Sequence, residues 1–203
     1  MPVRPGEEWG EPGTLPSGGI VVRSDAEIGA LLDDCRQRGG TPPVVGLLGG
    51  DLWRTLGGLN DEGRLRDGPA HVADIDVGQA LLDGRLRHFV AHAVARRPWW
   101  WGRVRLAMNS EWLGHWDVAP RAHPGDGRLD VLDASVPLGD RLKVRSRLPT
   151  GSHLPHPAIG VTRTKAVQWH FDRPVGIWLD GVRAGSCRDV SIRLDPAALT
   201  VVV

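Results

Sequence analysis

The sequence of 203 residues contains no tyrosine, two phenylalanines and two cysteines, and two of its 25 basic residues are lysine. Each shortage removes a class of protein. Cys35 and Cys187 cannot build the disulfide framework of a small secreted domain, so a reduced intracellular chain is expected. The formal charge of +1 lacks the basic footprint of a nucleic-acid binder. No apolar run approaches the roughly 20 residues of a membrane-spanning helix. The opening residues, MPVRPGEEWGEPG, lack the apolar segment of a secretory signal. The expected location is the cytoplasm, with peripheral attachment to a membrane left open. Aromatic chemistry falls almost wholly to nine tryptophans.

What is present reads as an α+β chain. Residues 1–19 are rich in Gly, Pro and Glu and predict a disordered tail. Residues 20–66 follow the order strand, helix, strand, Gly-rich turn, helix, a truncated βαβα unit of Rossmann-like character. Its helix is well marked. Ser24-Asp-Ala-Glu27 is a capping box, Ile28, Leu31, Leu32 and Cys35 follow at helical spacing, and Gly39-Gly40 supplies the stop. The run PVVGLL (43–48) has the length of a buried strand and ends at Gly49-Gly50-Asp51. A charged segment over 60–69 marks the boundary. From residue 67 to 203 the pattern turns to strands, with hairpin signals at Asp83-Gly84 and Asp180-Gly181 and a helix predicted over 138–148. Separate strands are predicted at 166–171, 175–180, 188–194 and 200–203. A mostly antiparallel, sandwich-like β domain is expected there.

The stretch Asn109 to Val131, NSEWLGHWDVAPRAHPGDGRLDV, carries Ala119-Pro120 and then Asp126-Gly127-x-Leu129-Asp130-Val131. It resembles the second-domain signature of the diacylglycerol kinase, sphingosine kinase and bacterial lipid kinase family. Ile75-Asp76-Val77-Gly78 is similar to the strand that opens that domain, and Asp195 to Val203 to the one that closes it. The resemblance implies an ATP-dependent phosphotransferase fold with a lipid as partner. It also implies where the family's working groups would lie: phosphate at Gly49, Gly50 and Asp51, and a structural Mg²⁺ held by the Asp126 carboxylate with the carbonyls of His123 and Arg128. The acid at Asp180 would take the proton of a lipid hydroxyl. Three departures stand against activity. Leu52-Trp53 replaces the Gly-Thr expected after Gly-Gly-Asp, no Gly-Thr-x-Asn segment lies between Leu59 and His71, and Val182 stands where the family has Glu. The expectation is therefore a lipid kinase-like chain with a degenerate ATP site that binds a lipid or a partner. The alternative is an active kinase that transfers the ATP γ-phosphate to a diacylglycerol-like hydroxyl.

Plainer readings of the same residues remain open. Gly-Gly-Asp is a strand-ending turn whose Asp51 caps the next helix, while Asp126 and Asp180 are turn residues. His88 and His92, four apart in a strand pattern, and His153 and His156, in a loop without a third ligand, are poor zinc pairs. The run Trp99-Trp100-Trp101 is either packed on the β core or an apolar surface for a lipid, a membrane or a partner chain, a homodimer included.

Overall fold

The structure, a computed structural model, describes residues 9–97 and 102–203. The Trp99-Trp100-Trp101 run lies outside the described residues. The chain forms β1 (Glu11–Gly13), β2 (Ile20–Val22), α1 (Asp25–Arg38), β3 (Val45–Leu47), α2 (Asp51–Thr55), α3 (Glu62–Asp67), β4 (Ala70–Leu82), β5 (Arg85–Phe89) and β6 (His92–Arg96). After these come β7 (Val104–Met108), β8 (Trp112–Leu113), β9 (Trp116–Asp117), β10 (Leu129–Ala134), α4 (Leu138–Arg147), β11 (Ile159–Thr164), β12 (Ala166–Leu179) and β13 (Val182–Val202). The architecture is α+β, dominated by antiparallel sheet. No helix among the described residues is long and apolar enough to cross a membrane.

One strand organises the sheet. β13 runs antiparallel to β4 on one side and to β12 on the other, and its last residues pair in parallel with β3 through Val201↔Val45 and Val202↔Gly46. The short α/β unit is thus hydrogen-bonded into the β domain. α1 closes this end. Ser24 Oγ accepts from the Glu27 N–H at 3.4 Å, and Gly39 at φ +66 completes the C-terminal cap. Ile28 and Leu32 then pack into a core with Val22, Leu47, Ile75 and Val201. A second core, from Phe89, Ala93, Leu129, Trp169, Ile177 and Ile192, fills the space enclosed by the antiparallel strands. Phe89 lies so close over β4 that a Cβ at Gly78 would overlap its ring.

Several expectations are corrected by pairing that residue type alone does not announce. The Gly/Pro-rich start is not loose up to residue 19: β1 pairs with the edge of β4, and Leu15 is buried. An edge strand needs hydrogen bonds on one side only, which tolerates Pro12. The charged segment over 60–69 contains α3, capped by Asp61 Oδ1 on the Arg64 N–H at 3.3 Å. The strands predicted at 166–171 and 175–180 are one strand with an irregularity between His170 and Val175, and those at 188–194 and 200–203 are one strand bulged between Asp195 and Leu199.

Candidate functional site

The Gly49-Gly50-Asp51 turn follows β3 and enters α2 at the point where α1 begins. Both glycines are required by close approach. A Cβ on Gly49 would sit 2.6 Å from the Arg23 carbonyl oxygen, and Gly50, at φ +102, would drive one into the Asp25 carboxylate. That carboxylate accepts from the first amides of α2, Asp51 N–H at 2.6 Å and Leu52 N–H at 3.2 Å. The helix is therefore capped from 26 residues away by Asp25, and not by Asp51. The Asp25 carboxyl group already occupies its positive end.

Asp51 is turned toward the β domain instead. Its Oδ2 meets His92 Nε2 at 2.9 Å, and its Oδ1 accepts the Gly114 N–H at 2.8 Å. Arg54, one turn along α2, donates to the Gly114 carbonyl at 2.9 Å and stacks 3.5 Å from the centre of the Trp112 ring. Thr55 Oγ1 accepts from the Glu111 N–H at 3.1 Å. Three residues of α2 thus hold the β8–β9 hairpin against the turn.

Asp180 joins the same network from the far side. Asp180-Gly181 is the two-residue turn between β12 and β13, with φ of +48 and +80, the pattern of a tight hairpin. Its carboxylate accepts three backbone N–H groups, Val90 and Ala91 at 2.9 Å and His92 at 3.0 Å. It also lies on the wall of a cleft of about 390 Å³ between α1 and the β12–β13 turn, together with Asp33, Arg87, His88, Val182 and Arg183. His88 does not share the His92 site, because its Nδ1 pairs with Asp33 at 2.8 Å.

The result is a buried group of three carboxylates around one imidazole. Burial, with Asp180 and Asp51 nearby, pushes the Asp25 carboxyl up to about 7, against the lowering effect of the Asp51 N–H and His92. Asp180 is raised as well: burial outweighs His92 and the three backbone donors. Burial alone would lower His92, but the Asp51 hydrogen bond and the charges of Asp180, Asp51 and Asp25 carry it above its ordinary value. The network favours a bound proton. Sequence reading found Gly49, Gly50, Asp51 and Asp180 but missed Asp25, whose only signal was an acid in the first turn of α1, and His92, whose partner lies 41 residues earlier.

The 123–128 loop belongs to a separate network. Asp76 Oδ2 accepts the Gly127 N–H at 2.6 Å, Asp76 Oδ1 accepts the Ala197 N–H at 3.0 Å, and the Asp76 N–H donates to the Pro124 carbonyl at 2.6 Å. Asp126 Oδ1 accepts the Arg128 N–H at 2.9 Å, while its other oxygen pairs with the Arg163 guanidinium. Arg163 also reaches Asp130 Oδ1 at 3.2 Å, as the register Asp130↔Arg163 between β10 and β11 requires. The His123 carbonyl is engaged by the Asp126 N–H at 3.4 Å. With Arg163 in the cation position, the arrangement of His123, Asp126 and Arg128 does not fit Mg²⁺. Among the described residues, no three His, Cys, Asp or Glu side chains converge as metal ligands.

A third feature was not anticipated from sequence. Between α4, the β8–β9 hairpin and the outer faces of β7 and β10 lies a cavity of about 400 Å³, walled by Val104, Leu106, Leu132, Trp116, Leu148 and Ile159. His153 lines it. That residue is 3% exposed, and neither ring nitrogen finds a hydrogen-bond partner of good geometry within the protein. Burial pushes its pKa down, against the raising effect of the Val118 backbone nearby, so the ring there is neutral.

Residues 82–203 match the family described as the YegS C-terminal NAD kinase beta sandwich-like domain. Among solved structures, a candidate diacylglycerol kinase from Bacillus anthracis str. Sterne superposes with a TM-score of 0.69 at 15% identity, covering 91% of this chain and 77% of the other. A second structure, of a diacylglycerol kinase from the same organism, gives 0.61 at 16% identity over 91% and 75%. At this identity the likeness is one of fold. Among curated proteins, none matches the sequence.

Proposed function

Because the chain belongs to the family of the YegS C-terminal NAD kinase beta sandwich-like domain, and has the fold of solved diacylglycerol kinases, we propose that it is a lipid kinase-like protein whose ATP site is degenerate and whose role is to bind a lipid. The observation that carries this reading is the cavity beneath α4. Its size falls within the range of about 300–1,000 Å³ typical of small-molecule pockets, and its wall is mostly apolar, with the buried His153 and, on the α4 side, Arg141 and Arg145 as its charged or polar members. An acyl chain would fill the apolar part, and a hydroxyl or ester oxygen could hydrogen-bond the neutral His153 ring on its wall.

The state of the Gly-Gly-Asp turn supports the loss of nucleotide binding. Phosphoryl transfer depends on positioning and on stabilising phosphate charge. Here the amides that would meet a phosphate are taken by Asp25, and Asp51 and Asp180 add further negative charge close by. ATP and its Mg²⁺ enter only under the second reading, an active kinase with Asp180 as base. Its place on the cleft beside α1, with a raised pKa, favours that reading.

Native mass spectrometry of the purified chain tests the first reading directly. A co-purifying lipid of defined mass, reduced by a bulky His153→Trp substitution, is expected. An empty chain that takes up no diacylglycerol or fatty acid on addition refutes it. Calorimetry with ATP and Mg²⁺ separates the two readings: no saturable heat is expected, and micromolar binding with label transferred to diacylglycerol would establish the kinase.

A further inference from the structure

A smaller cavity, of about 300 Å³, adjoins the one beneath α4 and shares Val144 and His153 with it. Its lining has a different chemistry. Lys143 and Arg147 come from α4, while His153, His156 and Pro157 come from the segment that leads back to β11. At 100° per residue, Asp140, Lys143, Val144 and Arg147 fall within an arc of about 100° around the helix. One face of α4 therefore meets the two histidines across this space.

The nitrogen groups around the cavity are short of partners. Among the described residues, no carboxylate pairs with Arg147. Lys143 has Asp140 at 3.7 Å, but both side chains are exposed and such a pair contributes little in water. His156 Nδ1 accepts the Ala158 N–H at 3.1 Å. A neutral ring engaged in this way carries its proton on Nε2 and donates from there. The His156 carbonyl accepts the Ile159 N–H at 3.0 Å, which helps to fix the turn that holds the ring. His153 is buried, with two ring nitrogens that lack a protein partner of good geometry. After burial and against the Val118 backbone, the charge of His156 also lowers the His153 pKa, as expected of two rings bordering one small space.

We propose that this cavity is a binding site for a phosphate monoester, with Arg147 and Lys143 donating from the α4 side and the two imidazoles from the other. Charge decides the class of ligand. Two cations and two rings able to donate suit an anion, and among the described residues no set of side chains here converges on a metal. A phosphate monoester presents three strong acceptor oxygens, which matches donors arriving from two sides better than the two oxygens of a carboxylate do. Asp140 is the opposing group. It borders the cavity beside Lys143, so removing its charge should tighten binding, an effect that a purely structural carboxylate would not show. The same chemistry arrives on a soluble phosphate ester or on the head of a phosphorylated lipid whose chain lies in the adjoining cavity. The site stands on its own lining and holds even if the larger cavity carries no lipid.

The test is calorimetry of the full chain in about 0.15 M sodium chloride, where diffuse attraction to exposed charges is screened. The probes are inorganic phosphate, glycerol phosphate and lysophosphatidate, with glycerol as the uncharged control. Saturable heat with the phosphates and none with glycerol is expected. Arg147→Gln should weaken binding by at least about ten-fold, because hydrogen bonds to charged groups are the strong ones. Its melting temperature should not change, since the side chain is exposed. Asp140→Asn should tighten binding by up to about five-fold. Binding of lysophosphatidate alone, lost in Arg147→Gln, upholds the site and assigns the phosphate to a lipid. Inorganic phosphate bound by a chain whose larger cavity is empty also upholds it, and refutes lipid storage. A co-purifying lipid in a chain that binds none of the phosphates refutes the phosphate site alone. Absence of heat with all three phosphates overturns it, as does equal binding by wild type and Arg147→Gln or weaker binding by Asp140→Asn.

Discussion

Replacing Arg163 by alanine removes the cation that holds Asp126 and Asp130 together, and the cost can be bounded from the surroundings of the three side chains. The Arg163 side chain is 36% exposed, while Asp126 is 15% and Asp130 only 4% exposed. Fully exposed pairs contribute about 0–1 kcal/mol, and breaking a buried pair costs about 3–5. Solvent screening at Arg163 places this one between the two, at about 2 kcal/mol. Burial already holds the Asp130 carboxyl above its usual range, offset mainly by Arg163, and one of its oxygens has no hydrogen-bond partner. For a chain of this length the loss should lower the melting temperature by about 4–8 °C. Thermal unfolding followed by circular dichroism, in EDTA and in millimolar Mg²⁺, reads the effect. The wild-type chain should melt at the same temperature in both, since Arg163 supplies the charge that the ion would. The Arg163→Ala variant should melt lower in EDTA and recover in part with Mg²⁺, which two freed carboxylates can attract. A wild-type chain stabilised by several degrees in Mg²⁺, or an alanine variant that melts like wild type, refutes the reasoning.

The remaining predictions concern the buried carboxylates. Asp25 is protonated up to about pH 7 in the folded chain but only to about its ordinary 3.8 when unfolded, so the folded state binds more protons across that window. The raised His92 and Asp180 act in the same direction. Stability should therefore fall by about 2 kcal/mol between about pH 5 and pH 7, and Asp25→Asn should flatten that slope in urea titrations; a slope of opposite sign, or an unchanged one in the variant, contradicts the assignment. Asp180→Asn keeps the shape of the side chain but replaces one of two acceptor oxygens by a donor facing backbone N–H groups. A loss of about 2 kcal/mol, or roughly 4–8 °C, is expected. If Asp180 serves only as a base, the same variant should melt like wild type.

Much of the fold is legible where the signal is local. The Ser24 cap with Gly39-Gly40 sets α1, and Asp83-Gly84 and Asp180-Gly181 mark their hairpins, because backbone at positive φ needs such residues. β13 was not legible as one strand. Pro196 reads as a break, and only the pairing on both flanks, with Ala197 N–H bonded to Asp76, carries the chain through the bulge. The parallel contact of β13 with β3 is likewise a product of tertiary arrangement. The site divides in the same way. Asp51 and Asp180 stand out in sequence because they follow or precede glycine in turns. Asp25 is one acid among several in a capped helix, and His92 is one histidine in a strand. Their roles arise from contacts 26 and 41 residues apart, which no local pattern encodes.

Gly-Gly-Asp is the pattern that points to phosphate, yet each of its residues is accounted for without one. Gly49 is fixed by the Arg23 carbonyl, Gly50 by its positive φ and the Asp25 carboxylate, and Asp51 by His92 and the Gly114 N–H. A phosphate at the start of α2 would have to displace Asp25 from the Asp51 and Leu52 amides and leave that carboxylate without donors in a buried site. It would also meet Asp51 and Asp180 at close range. Protonation of the network relieves part of this repulsion, so any residual affinity for an anion should grow as pH falls toward the range where Asp25 and His92 both hold protons. A nucleotide site would gain nothing from an acid placed at Asp25. The joint between α1, α2 and the β domain does gain from it, because one carboxylate there caps α2 and ties it to the first turn of α1.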